Sequence, residues 1–181
     1  MFSGKEDFVN LCDTPCFDQC FSGWNYSKEI KEIIGLMKYK GYTALCEYAG
    51  AMLGESLQKE LRSSEIIMPV PLHTRRKRER TYNQSWYIAK GVTIHNPHLT
   101  LLKCIRRVRY TEPQAMLTGR DRQNNVRDAF TAGKPDCISG RNIVLVDDVV
   151  TTGATIQNCS GVLKAAGADK VTCISIARPY K

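Results

Sequence analysis

Residues 142–177 carry a pattern with few structural solutions. The apolar run Ile143-Val144-Leu145-Val146 reads as a buried strand over 142–147 that ends on two adjacent acids, Asp147 and Asp148. A small, hydroxyl-rich stretch follows, then a helical pattern over 153–166, Gly167 as terminator and a second apolar strand from Val171 to Ala177. Strand, turn, helix and strand in that order predict a βαβ unit, and with it a parallel sheet covered by helices. In such sheets ligands bind outside the carboxyl ends of the strands.

The turn has a chemical use. Thr151, Thr152, Gly153, Ala154 and Thr155 can aim backbone N–H groups and hydroxyls at a phosphate, and the following helix N-terminus adds positive partial charge. Gly153 lets the backbone approach closely. Two carboxylates beside such a site repel the anion unless they bind something else. An ionised carboxylate only accepts hydrogen bonds, so Asp147 and Asp148 suit the two donors of a ribose diol and can share Mg2+ with a sugar phosphate. The alternative is an ordinary strand-turn-helix whose polar residues cap the helix. Capping accounts for one acid or one threonine, not the whole run.

Elsewhere, Ile30, Ile33, Ile34 and Met37 predict a helix after Ser27, and Leu45, Ala49, Met52, Leu53, Leu57 and Leu61 predict another over Thr43 to Arg62. Glu65 to Val70 reads as a buried strand stopped by Pro71, and Leu99 to Ile105 as a further strand. Between them a helical pattern runs through Asn83, Trp86, Ile88 and Ala89, with Trp86 expected on the buried side rather than stacked on a base. Arg106 to Pro113 reads as a loop and Gly119 to Arg127 as a short helix, while residues 1–27 lack a sustained period and read as an irregular arm. The expected class is α/β: an open, mainly parallel sheet flanked by helices over 28–181, with a small N-terminal arm.

Charge adds direction. The formal net charge is +8; residues 75–80 sum to +4 and residues 103–109 to another +4, so the remainder is neutral. Two compact cationic segments point to a polyanion, either a pyrophosphate-bearing ligand or a nucleic-acid backbone, with solvated loops as the ordinary alternative. His95 and His98 have no ligand pattern around them and read as surface residues. No apolar run approaches a membrane span, and the polar N-terminus does not read as a secretory signal, so the expected address is cytoplasmic, without membrane insertion. Without an export signal, eight cysteines argue for thiols or a metal site rather than disulfides. Cys12, Cys16 and Cys20, with Cys46 as the nearest fourth ligand, form a candidate Zn2+ set, but their C-x3-C-x3-C spacing departs from paired C-x2-C knuckles.

Residues 143–155 resemble the phosphoribosyl pyrophosphate (PRPP) signature of type I phosphoribosyltransferases. Pro69-Val70-Pro71-Leu72-His73, the basic stretch Arg75 to Arg80 and Tyr82-Asn83-Gln84 resemble the ComF family, as do Arg107, Arg109, Thr111 and Gln114, then Arg120, Asn125, Ala129 and Phe130. ComF proteins are competence-associated and carry a phosphoribosyltransferase domain, described as amidophosphoribosyltransferase-like. The resemblance spans about residues 28–178. Two departures stand out: Thr81-Tyr82 replaces a usual Gly-aromatic pair, and the family's paired zinc knuckles are reduced to the cramped cysteine cluster, a degenerate finger at most.

That resemblance implies a type I phosphoribosyltransferase fold and Mg2+-bound PRPP, attacked at C1 by a nitrogen nucleophile as pyrophosphate leaves. Asp147 and Asp148 would hold the ribose and residues 151–155 the 5'-phosphate. Pro71, Leu72 and His73 would form the pyrophosphate loop, and Arg75, Arg76, Arg107 and Arg109 would stabilise the leaving group's growing charge. His73 reads equally well as an ordinary turn residue. The acceptor hood is expected from residues 1–62 or the 106–116 loop, and a homodimer is the common assembly of such enzymes. Two other functions fit the same residues: a non-catalytic single-stranded DNA-binding accessory working with competence machinery in DNA uptake, and a PRPP-sensing regulator.

Overall fold

The computed structural model describes residues 15–39, 41–72, 81–108, 129–133 and 135–179. His73, Arg75, Arg76, Arg109, Cys12, the matches Thr111, Gln114, Arg120 and Asn125, and the helix expected over 119–127 lie outside the described residues.

The order of elements is β1 (Gln19–Asn25), α1 (Lys28–Tyr39), α2 (Thr43–Ser56), α3 (Gln58–Leu61), β2 (Ile66–Pro69), α4 (Gln84–His95), β3 (Thr100–Leu101), β4 (Ile105–Arg107), β5 (Phe130–Ala132), a 3-10 turn (Pro135–Cys137), β6 (Asn142–Val149), α5 (Ala154–Ala165) and β7 (Lys170–Arg178). Five strands form one parallel sheet in the order β1-β7-β6-β2-β3. β4 and β5 pair separately as an antiparallel ribbon. The expected α/β architecture, a parallel sheet flanked by helices, is what forms.

Both sheet faces are covered, which explains why the central strands are apolar without alternation. Along β6, Ile143 and Leu145 pack with α5 residues Ile156, Cys159 and Leu163, while Val144 and Val146 pack with α1, α2 and α4 through Ile34, Leu53 and Ile88. Each such aliphatic side chain is fully buried, a contribution of about 1.5–3 kcal/mol relative to exposure.

Four expectations change. The arm is not irregular throughout, because residues 19–25 form the edge strand β1, in register with β7 from Gln19↔Thr172 to Asn25↔Arg178. Its interior is disguised by polarity: buried Ser22 shares a 2.6 Å hydroxyl bond with buried Ser175, and Cys20 supplies the neighbouring apolar position. The second helix breaks at Leu57 into α2 and α3, and Met52 faces solvent. The run 99–105 is two strands: β3 ends at Leu101 in the main sheet, and β4 starts at Ile105 in the ribbon. Cys104 and Ile105 belong to the core under α5, whereas Leu101 packs on the opposite face, so one straight strand cannot serve both. Trp86 is only half-buried.

The approach to β1 is tied down by Asp18, whose Oδ2 accepts from Lys164 Nζ at 2.8 Å and from the Val171 amide at 2.7 Å. Burial raises its pKa, but these donors together outweigh that and hold the carboxyl below its ordinary value. The stabilisation is therefore present above the ordinary carboxylate range and is lost as pH falls through Asp18's own pKa. Asp18→Asn is expected to cost about 1 kcal/mol at neutral pH, a modest figure for an exposed pair. Urea denaturation of the two proteins should show the difference closing on acidification.

Candidate functional site

β6 ends in the middle of the sheet, between β7 and β2, so the acids sit where two strand ends flank them. Asp147 pairs in register with Ser175 of β7, and the chain then turns through residues 150–153 into α5. A shallow hollow forms there, lined by Asp147 and by residues 149–156. Gly153 takes the N-cap position of α5 with φ 73°, the left-handed region that glycine enters without a Cβ penalty. It offers no capping side chain, and the first-turn amides of a helix have no intrahelical acceptor. The N-terminus of α5 thus presents donors and positive partial charge to the hollow, which suits an anion. Thr151 and Thr152 are exposed at its rim and Thr155 is half-buried.

The two acids are not equivalent. Asp148 is buried and does not line the hollow: its Oδ1 accepts from the Val149 amide at 2.7 Å, and its Oδ2 accepts from Gln84 Nε2 at 2.9 Å and Lys38 Nζ at 3.0 Å. Asp147 accepts through Oδ1 from Ser85 Oγ at 3.3 Å and from the Asp148 amide at 2.9 Å. Burial, followed by the neighbouring Asp148 charge, raises the Asp147 carboxyl to about 7. Asp147 is therefore the acid that lines the hollow, and Asp148 is the one that ties β6 to α1 and α4.

This arrangement explains part of the Tyr82-Asn83-Gln84 motif. Asn83 caps α4 by accepting from the Ser85 amide at 3.1 Å and donates to Val70 O at 3.0 Å, which fixes the chain beyond β2. Gln84 holds Asp148 and Ser85 holds Asp147. Lys38 and Ser85 are contacts of the two acids that the sequence reading misses, and Gln84 enters it only as part of the Tyr82-Asn83-Gln84 motif. For Lys38 the available signal is slight, a lysine in the last turn of α1.

Among the other expected site residues, Pro71 and Leu72 line a separate cleft with Pro69, not the hollow. Arg107 lies on β4 with its guanidinium 5.2 Å from the Phe130 ring centroid and lines neither. The three described members of the candidate zinc set do not converge. Cys20 lies in the core under α5 and Cys46 in the core on the opposite face of the sheet, while the Cys16 thiol accepts from Gln157 at 3.3 Å. Burial raises the Cys20 thiol well above its ordinary value and raises Cys46 to about 12. Among the described residues no three His, Cys, Asp or Glu side chains cluster to hold a metal, and no helix is long and apolar enough to cross a membrane.

No family model matches the chain. Over 120 residues it is 32% identical to competence protein F of Haemophilus influenzae, a match covering 66% of this chain and 52% of that protein. Over 172 residues it is 30% identical to the DNA utilization protein YhgH of Salmonella typhi, covering 91% of this chain and 74% of that one. The chain thus spans about half the length of the first relative. Among solved structures, glutamine PRPP amidotransferase from B. subtilis is similar with a TM-score of 0.47 and 20% identity, covering 71% of this chain and 26% of that one. The match to YhgH along nearly all of this chain, together with the match to competence protein F, makes the protein a member of the ComF family.

Proposed function

We propose that the chain binds Mg2+-PRPP at the hollow and transfers its phosphoribosyl group to a nitrogen nucleophile, releasing pyrophosphate. One observation carries this: an acid at the end of a central parallel strand and the N-terminus of α5, whose N-cap Gly153 has no side chain, line the same small hollow. The helix end suits the 5'-phosphate, and Asp147 suits a ribose hydroxyl. The buried charge of Asp148 is already matched by Lys38 and Gln84, so it serves to orient β6. A carboxylate beside threonine hydroxyls is a set of hard oxygen donors and fits Mg2+, which Asp147 would help hold. When bound, the ion would neutralise charge on the leaving pyrophosphate. The chain's own task is then positioning: the α5 amides fix the phosphate, Ser85 orients Asp147, and the covered sheet beneath keeps the geometry rigid. The test is pyrophosphate release from PRPP with ammonia, amines and bases offered in turn. Release that depends on one nucleophile is expected. PRPP binding without release for any acceptor would leave a PRPP-sensing protein.

A second function is favoured by the names of the relatives, competence protein F and a DNA utilization protein, and by the two +4 segments: a single-stranded DNA accessory in DNA uptake. Its affinity for single strands should fall steeply with salt. Negligible binding at low salt would eliminate it.

A further inference from the structure

Among the described residues, the cleft beyond β2 shares no lining residue with the hollow. It encloses about 320 Å3, enough for one fused ring system with a substituent. Pro71 and Leu72 form one side, and Tyr82 and Trp86, the latter from the first turn of α4, form an aromatic side. Trp86 is half-buried. Exposed Lys103 places its ammonium 3.6 Å from the Trp86 ring centroid. Among the described residues no acid lines the cleft and Lys103 pairs with no carboxylate. Thr81 also lines the cleft and has φ 62°, making it the one non-glycine residue with positive φ among those described. That conformation is a genuine outlier for a β-branched side chain, and such outliers concentrate at ligand sites.

From this we infer that the cleft binds a planar aromatic ring bearing a carboxylate directly on the ring. The ring takes the Lys103 ammonium's place on the Trp86 face, and the displaced ammonium moves to the ring edge to meet the carboxylate. Charge and ring face are 3.6 Å apart, so an anion attached to the ring meets both at once, whereas a phosphate carried several bonds away on a sugar does not. PRPP binding is not required. The first turn of α4 nevertheless joins the hollow and the cleft, with Gln84 and Ser85 reaching the acids while Trp86 lines the cleft.

Calorimetric titration of the full chain without PRPP tests this, using 2-naphthoate, its neutral isostere 2-naphthamide, and AMP. Naphthoate is expected to bind saturably, at least about tenfold more tightly than the amide, with Lys103→Met removing that preference. Lys103 is exposed, so this variant folds whatever Trp86 contributes to packing. Trp86→Leu should weaken acid and amide alike. Equal affinity for acid and amide, an unchanged preference in Lys103→Met, or AMP binding more tightly than naphthoate would each overturn the assignment.

Discussion

Gly50→Ala and Gly91→Ala should each lower stability by about 3 kcal/mol or more, a fall in Tm of roughly 10 °C for a chain of this size. A Cβ on Gly50 would stand 2.1 Å from Ile88 O, and one on Gly91 would stand 2.0 Å from Glu47 O. Both obstacles are helix backbone, so no rotamer change relieves them, and α2 and α4 must move apart. That separation would open the core at Ala49, Leu53, Ile88 and Val92. It would also shift the N-terminal turn of α4, which holds both acids through Gln84 and Ser85. Alanine is the better helix former by about 1 kcal/mol, so a loss means that sterics dominate. Gly35 in α1 is the control: nothing lies within 4 Å of its added Cβ, and Gly35→Ala should be neutral or stabilising. Thermal melts of the three variants separate these outcomes.

Asp147→Asn and Asp148→Asn should fail in different ways. At Asp148 the substitution removes a buried carboxylate bonded to Lys38, Gln84 and the Val149 amide. Breaking a fully buried pair costs roughly 3–5 kcal/mol; because Lys38 retains some solvent contact, about 2 kcal/mol is expected. Asp147 is the reverse case. Burial and the Asp148 charge raise its carboxyl from 3.8 to about 7, so its ionised form is held at a cost in the folded chain. Between those two values the native state binds more protons than the unfolded one, and stability falls as pH rises. Asp147→Asn should abolish that decline and leave stability at neutral pH equal or higher, while weakening PRPP by about 1.5–3 kcal/mol, the scale of a hydrogen bond to a charged group. Denaturation at pH 4 and pH 7.5, run beside ligand titration, distinguishes the pair.

The parts of the fold legible in the sequence are those where burial is apolar and continuous. β6, α5 and β7 are of this kind, and the turn between β6 and α5 carries its own signature of acids, hydroxyls and Gly153. β1 is hidden because Ser22 and Ser175 satisfy each other inside the sheet, so a buried position looks polar. The 99–105 run conceals a change of sheet, since an apolar stretch does not reveal which partner each half will find. Gly50 and Gly54, four residues apart on α2, mark the close helix contact and are a readable signal that hydrophobic periodicity passes over. At the site, adjacency suggests two equivalent acids. Alternation along a strand sends neighbours to opposite faces, and that separates Asp147 at the hollow from Asp148 in its internal ion pair.

The most direct test of the hollow as a sugar-phosphate site is calorimetric titration of Mg2+-PRPP into the folded chain and into Asp147→Asn. Saturable binding with one site per chain is predicted, weakened about tenfold or more in the variant although its melt is unchanged or improved. Absence of binding by the folded parent chain, or equal affinity in Asp147→Asn, would contradict it.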